Sequence, residues 1–317
     1  MGFINSTPPS WVDSTSTKFY RNIQYGDVNI TNLDLMAPQG TGAPTPCIIN
    51  IHGGSFAYGD KTDIYEDLID QGIILDYLDK GIAYVSINYK LVSQFEEVSG
   101  IKRCFDSAVL AIQFIKYYAD IFNIDKNKIA LNGGSAGGGI SLWIASSPDL
   151  ADPSNQNLIK RESTSIHSLS LNIAQATYDL VKWESEVFAV NYPGYSLELD
   201  YNTNKETKDS VDRTYGIKSY SELLTEPTLS LRNELDMLRL MGERQTVDTY
   251  LFYSNTLAGA IVNNTIIDGV HSDYMGKAIS NKMGVIGTNV LADLRSIGID
   301  STGGISKEDW LISRLIT

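Results

Sequence analysis

The 317-residue chain is poor in cysteine, histidine, proline and positive charge. Two cysteines, Cys47 and Cys104, do not make a disulfide framework. Cys47 lies in an apolar strand-like run and Cys104 at the head of a helix-like one, so both read as small buried hydrophobes. Three histidines leave no His-rich cluster, and no metal or other cofactor is expected. Lys and Arg number 25 against 38 Asp and Glu, a net charge of −13. That balance disfavours nucleic acid, whose phosphates need basic side chains to displace counterions. It reads instead as a solvated acidic surface. No stretch approaches the ~20 apolar residues of a membrane span. Met1 to Thr17 is polar and lacks the basic and apolar regions of a secretory signal, so the protein is expected to be intracellular or to have had a signal removed. Nothing in the composition sets an oligomeric state.

What is present is a core-forming composition, 43% hydrophobic, in which strand-like and helix-like runs alternate. This predicts an α/β domain spanning residues 1–317 around a largely parallel sheet. Phe19–Tyr25 and Thr31–Met36 are expected to pair as an antiparallel entry. Cys47–Ile51, Ile82–Ile87, Lys128–Asn132 and Ile166–Ile173 follow as strands, then Thr228–Leu231 and Ile261–Ile267, about eight in all. Helices are expected near Ile69–Lys80, over Arg103–Tyr118, where Phe105, Val109, Ile112 and Ile115 keep helical spacing, and over Gly139–Ser146. Thr246–Ala258 and Tyr274–Ser296 also read as helical. Val181–Ser221, rich in Tyr, Asn and charge, reads as an insertion over the active-site face.

The chemistry-bearing motif is Gly133-Gly134-Ser135-Ala136-Gly137, a G-x-S-x-G pattern between a predicted strand and a predicted helix. In that context the pattern means a nucleophile elbow, a strained turn that lifts the serine oxygen clear of the sheet. A second motif, His52-Gly53-Gly54-Ser55-Phe56, follows the Cys47–Ile51 strand. Acyl transfer passes through a tetrahedral oxyanion, and backbone N–H groups held around it supply much of the catalysis. Glycines let the backbone approach substrate closely.

These two segments, with Ser86-Ile87-Asn88-Tyr89-Lys90-Leu91 between them, resemble the esterases of the α/β-hydrolase fold, on the lipase and carboxylesterase side. The resemblance runs from about Phe19 to Ser296. Asn88 and Lys90 depart from the D-Y-R-L stretch of those enzymes, and Ser55 stands where many carry a third glycine. The resemblance implies that the amides of Gly54, Ser55 and Ala136 form the oxyanion hole, and that His52 is structural.

Serine needs a base within hydrogen-bond reach, and histidine suits the working pH. His52 belongs to the donor loop. His167 begins a strand and so should lie at the opposite sheet edge from the elbow. His271, after the last predicted strand, is left as the base. The base in turn needs a carboxylate, and in this fold the chain order is Ser, acid, His. Asp236, in Pro227-Thr228-Leu229-Ser230-Leu231-Arg232-Asn233-Glu234-Leu235-Asp236, fits that order and resembles the family's P-T-L-x-x-x-G-x-x-D stretch. Glu234 and Asp179 are its rivals, while Asp268 and Asp273 lie too close to His271 in sequence to be the usual partner.

The expected function is therefore a serine carboxylic-ester hydrolase acting on short-chain acyl esters through an acyl-enzyme. Its expected substrates are small-molecule or polysaccharide-linked esters, acetyl or feruloyl among them. A serine peptidase on the same fold and a non-catalytic binding module are the alternatives. The first lacks a visible peptide-binding signature, and the second usually loses a triad member.

Overall fold

The computed structural model describes residues 3–92, 99–243, 246–254, 261–262, 265–266 and 268–316. Thr17–Gln24 (β1), Asn32–Pro38 (β2) and Thr45–Ile51 (β3) open the chain, followed by the helix Leu68–Asp79 (α1) and Ala83–Ile87 (β4). Lys102–Tyr117 (α2) and the short Ala119–Phe122 (α3) lead to Ile124–Gly134 (β5), Ala136–Ser146 (α4) and Ser168–Asn172 (β6). A helical stretch then contains Leu197–Thr203 (α5), Lys205–Tyr215 (α6), Thr228–Glu234 (α7) and Met237–Glu243 (α8). Asp248–Tyr253 (β7), the two-residue strands Ile261–Val262 (β8) and Thr265–Ile266 (β9), and Asp273–Val285 (α9) come next. Val290–Leu294 (β10), Ile299–Asp300 (β11) and Lys307–Ile316 (α10) end the chain.

Among the described residues the main sheet has nine strands in the order β1-β2-β4-β3-β5-β6-β7-β10-β11. From β4 across to β10 every pair is parallel, and β1, β2 and β11 attach antiparallel. Successive side chains of a strand point to opposite faces. Thus Cys47, Ile49 and Ile51 of β3 pack into one core and Ile48 into the other. The first core lies under α2, α4 and α9, and the second under α1 and α10. Both cysteines are buried and free, and burial alone pushes the Cys47 thiol well up. A parallel sheet sends the loops after β3, β5 and β6 to one edge, which is where open α/β sheets place their ligands.

Four expected elements differ. Thr228–Leu231 is helix, not strand: Thr228, Arg232 and Leu235 are the buried positions, a helical spacing. Asp248–Tyr253, inside the expected helix Thr246–Ala258, is a strand held between β6 and β10 with Thr249, Tyr250, Leu251 and Tyr253 buried. Its aromatic and β-branched residues suit a pleated, enclosed surface. Residues 255–258 of that expectation lie outside the described residues. The expected helix Tyr274–Ser296 stops at Val285, because Gly287 takes φ 76°. Its N–H donates to the Gly284 carbonyl and the Thr288 N–H to that of Met283. This is the glycine-terminated helix end, and it frees the chain for β10. The expected strand Ile261–Ile267 is the two-stranded β8–β9 pair, with residues 263, 264 and 267 outside the described residues.

Candidate active site

Ser135 sits between the last residue of β5 and the first of α4 with φ 49° and ψ −121°, a conformation L-residues rarely adopt. The surroundings enforce it. The Ser135 N–H donates to the Asn172 carbonyl at the end of β6, and the Ser135 carbonyl accepts from the Gly139 N–H. A Cβ on Gly137 would stand 1.9 Å from the Ile51 carbonyl oxygen and 2.6 Å from that of His52. Only glycine lets α4 pack this closely on the strand that feeds the donor loop. Strain of this kind, costing on the order of 1–3 kcal/mol, persists only where neighbours over-determine it.

The donor loop lies against the elbow. A Cβ on Gly53 would approach that of Ser135 to 3.4 Å. Gly54 has φ 101°, and Ser55 and Phe56 also have positive φ. The Gly54 carbonyl accepts the N–H groups of Ala57 and Tyr58, which tightens the turn. Ala136 is the first residue of α4, so its N–H has no intrahelical acceptor. His52 takes no place beside Ser135. Its Nδ1 contacts the Gly53 carbonyl oxygen at 2.7 Å and its ring stacks on Tyr89 with centroids 4.4 Å apart. Burial lowers its pKa against the raising effect of that carbonyl contact and of Asp63 and Asp60. The Tyr89 hydroxyl donates to the His52 carbonyl. His167 precedes β6, at the far edge of the sheet from Ser135.

His271 reaches Ser135 from the other side, its Nε2 2.8 Å from the serine Oγ. It ends a single 3-10 turn, Gly269–His271, which Asp268 initiates. The His271 N–H donates to the Asp268 carbonyl, and the turn brings the two side chains onto one face. The His271 Nδ1 is 2.8 Å from one Asp268 carboxylate oxygen and 3.0 Å from the other. The carboxylate on the histidine is therefore Asp268, and the expectation for Asp236 is corrected. Asp236 follows α7, and its carboxylate is taken up by other groups. Its carboxylate accepts from the Thr177 hydroxyl and the Arg239 N–H and pairs with Lys182. Burial lowers the Lys182 pKa, but that hydrogen bond and charge outweigh it and hold the ammonium above its usual value. Its rivals are also engaged, Asp179 with Arg232 and Glu234 with Lys102. The short i,i+3 spacing concealed Asp268; only the turn reveals it.

Gln175, beyond β6, is a further residue the sequence did not single out. Its Nε2 donates to the Val270 carbonyl, tying the His271 turn to the sheet edge, and its Oε1 accepts from the Tyr178 hydroxyl. Over Ser135 and His271 opens a small pocket of about 100 Å³. Phe56, Ile101, Tyr178, Leu180 and Trp183 make its apolar wall; Ser55, Ala136 and Gln175 border it from the sheet edge, and Ser210, Arg213 and Thr214 from α6. Trp183 and the α6 residues belong to the segment 181–221. Among the described residues no group of His, Cys, Asp and Glu could hold a metal ion, and no helix is long and apolar enough to cross a membrane.

A family model described as BD-FAE matches residues 33–210, a span that includes both the donor loop and the elbow. A comparison with curated proteins gives no match. Among solved structures, a carbohydrate esterase from gut microbiota is 14% identical, covering 89% of this chain and 88% of its own, with a TM-score of 0.60. An acetyl ester-xyloside bifunctional hydrolase from Caldicellulosiruptor lactoaceticus is 16% identical over 82% of this chain and 76% of its own, TM-score 0.52. Esterase 2 of Thermogutta terrifontis, phosphoramylated by tabun, is 14% identical over 90% and 85%, TM-score 0.55. At these identities the likeness establishes the fold, which is that of the α/β-hydrolases.

Proposed function

The chain belongs to the BD-FAE family of α/β-hydrolase esterases, and on that premise we propose that it is a serine carboxylic-ester hydrolase for short acyl groups. The observation that carries this reading is the continuous relay from Ser135 Oγ through both nitrogens of His271 to Asp268, with the donor loop packed against the serine. Ser135 attacks the ester carbonyl as His271 takes its proton. The amides of Ala136, Gly54 and Ser55 receive the charge that develops on the carbonyl oxygen. Asp268 keeps the imidazole in the tautomer that accepts at Nε2 and stabilises the imidazolium. The same histidine protonates the departing alcohol, then draws a proton from water, which attacks the acyl-enzyme and releases the acid. None of these steps calls on a cofactor.

The pocket supports a short acyl group, because it is small, about 100 Å³, and Phe56, Tyr178 and Trp183 line it together with Ser135. We take segment 181–221 as a cap that shapes the pocket. Two of the compared structures are described as a carbohydrate esterase and an acetyl ester-xyloside hydrolase, which favours carbohydrate-linked acetyl esters as the substrate class. A panel of p-nitrophenyl esters from acetate to decanoate, run with the wild-type and Ser135→Ala proteins, tests the nucleophile and the acyl-length preference. Acetate and butyrate should turn over best, and the variant should lose about 10⁴-fold or more. Undiminished turnover in the variant would sink the assignment of Ser135, and preference for decanoate would sink the short-chain reading.

A further inference from the structure

The chain carries 38 acidic side chains, yet among the described residues none borders the pocket over Ser135. The one side chain there that is charged at every working pH is Arg213, on α6. Arg232, Arg239, Arg295 and Arg314 each face a carboxylate. Arg213 faces none among the described residues. Among the described residues a 3.4 Å contact from its Nη1 to the Ser55 carbonyl oxygen is the bond it makes, and its Nε is buried with no partner among them. A guanidinium offers five donors in a planar fork that matches a carboxylate, and the described residues leave most of this one's capacity unspent beside Ser135. Its neighbour Asp212 gives no relief, because that carboxylate pairs with Lys208 and the Tyr201 hydroxyl.

We propose that Arg213 is a specificity residue that takes a carboxylate on the substrate, so that the preferred ester is an acid: an acylated sugar acid, or a half-ester of a dicarboxylic acid. This rests on the esterase reading above. The carboxylate docks on the fork from the mouth of the pocket while the ester carbonyl lies over Ser135. Hydrogen bonds to charged groups are strong enough to give about 10- to 100-fold discrimination.

The experiment is a comparison of kcat/KM for matched pairs. p-Nitrophenyl hemisuccinate against its methyl ester places the charge on the acyl side. 4-Carboxyphenyl acetate against its methyl ester places it on the alcohol side. In at least one pair the acid-to-neutral ratio should fall about 10- to 100-fold in Arg213→Gln and recover in part in Arg213→Lys. If Arg213 merely ties α6 to the donor loop, both members of each pair fall together and the ratios hold, which overturns the proposal. A second reading needs no turnover. Methyl hydrogen succinate should bind the Ser135→Ala protein and lose that affinity in Ser135→Ala/Arg213→Gln; equal binding to both also overturns the subsite. Wild-type protein that binds the half-ester through Arg213 but cleaves none of the four esters would refute the esterase reading and leave the subsite standing.

Discussion

Asp268 and Asp236 are both aspartates after an apolar run, and only their surroundings separate them. Asp268 touches the His271 ring, while the side chain of Asp236 is 1% exposed and bound to Lys182 and Thr177. The two variants should fail differently. Asp268→Asn removes the charge that favours the imidazolium and should lower kcat by about 10³- to 10⁴-fold with little change in thermal midpoint. Asp236→Asn should keep catalysis but lose stability. The cost is put at about 2–3 kcal/mol, under the ~3–5 of a fully buried pair, because Lys182 is 33% exposed and partly solvated. Chemical denaturation alongside steady-state kinetics reads both effects. The reverse pattern would restore Asp236 as the acid. The sequence could not separate the two, since an i,i+3 pair becomes a relay only if the backbone makes a tight turn between them.

At the scale of elements, the elbow was legible because its constraints are local. Glycines flank the serine, an apolar strand precedes it and a helical run follows. Gly137 carries the tightest of these constraints, so Gly137→Ala should be more damaging than a helix-interior alanine ordinarily is. The added methyl group meets backbone oxygen rather than a flexible side chain, and the expected cost exceeds about 4 kcal/mol. Circular dichroism melts would show it as a large fall in midpoint; a stable, active variant would mean that α4 can shift away from β3. Elements that depend on neighbours were less legible. Leu229 and Leu231 alternate with polar residues as in a strand, yet the face that packs is Thr228, Arg232 and Leu235. Tyr250, Leu251 and Tyr253 are strand because β6 and β10 stand on either side to take their backbone hydrogen bonds.

For the whole molecule, pH acts through buried groups rather than through the net charge. Burial lowers the His52 pKa below its ordinary 6.5. Between that lowered value and 6.5 the unfolded chain binds the proton and the folded one does not, so stability rises with pH across the window. It is lost as the pH falls from 6.5, to a limit of ~1.4 kcal/mol per pH unit for one proton. Asp34 and Asp273 act in the opposite sense above 3.8, because burial raises both. The thermal midpoint of wild-type protein minus that of His52→Asn, followed from pH 7 to 5, isolates the histidine. That difference should shrink on acidification, and a constant difference would mean that His52 titrates alike in both states. Residue types at fixed spacing were enough to determine the α/β class, to place Ser135 in a strand-to-helix turn with a glycine-rich loop beside it, and to single out His271 among three histidines, because strained turns and close backbone approach restrict which residues fit at a position. Only the tertiary structure decided which carboxylate stands behind that histidine, where strands β7 and β10 lie, and that Arg213 faces the pocket. Each of these depends on which distant segments are brought together, and that is settled by packing across the whole sheet.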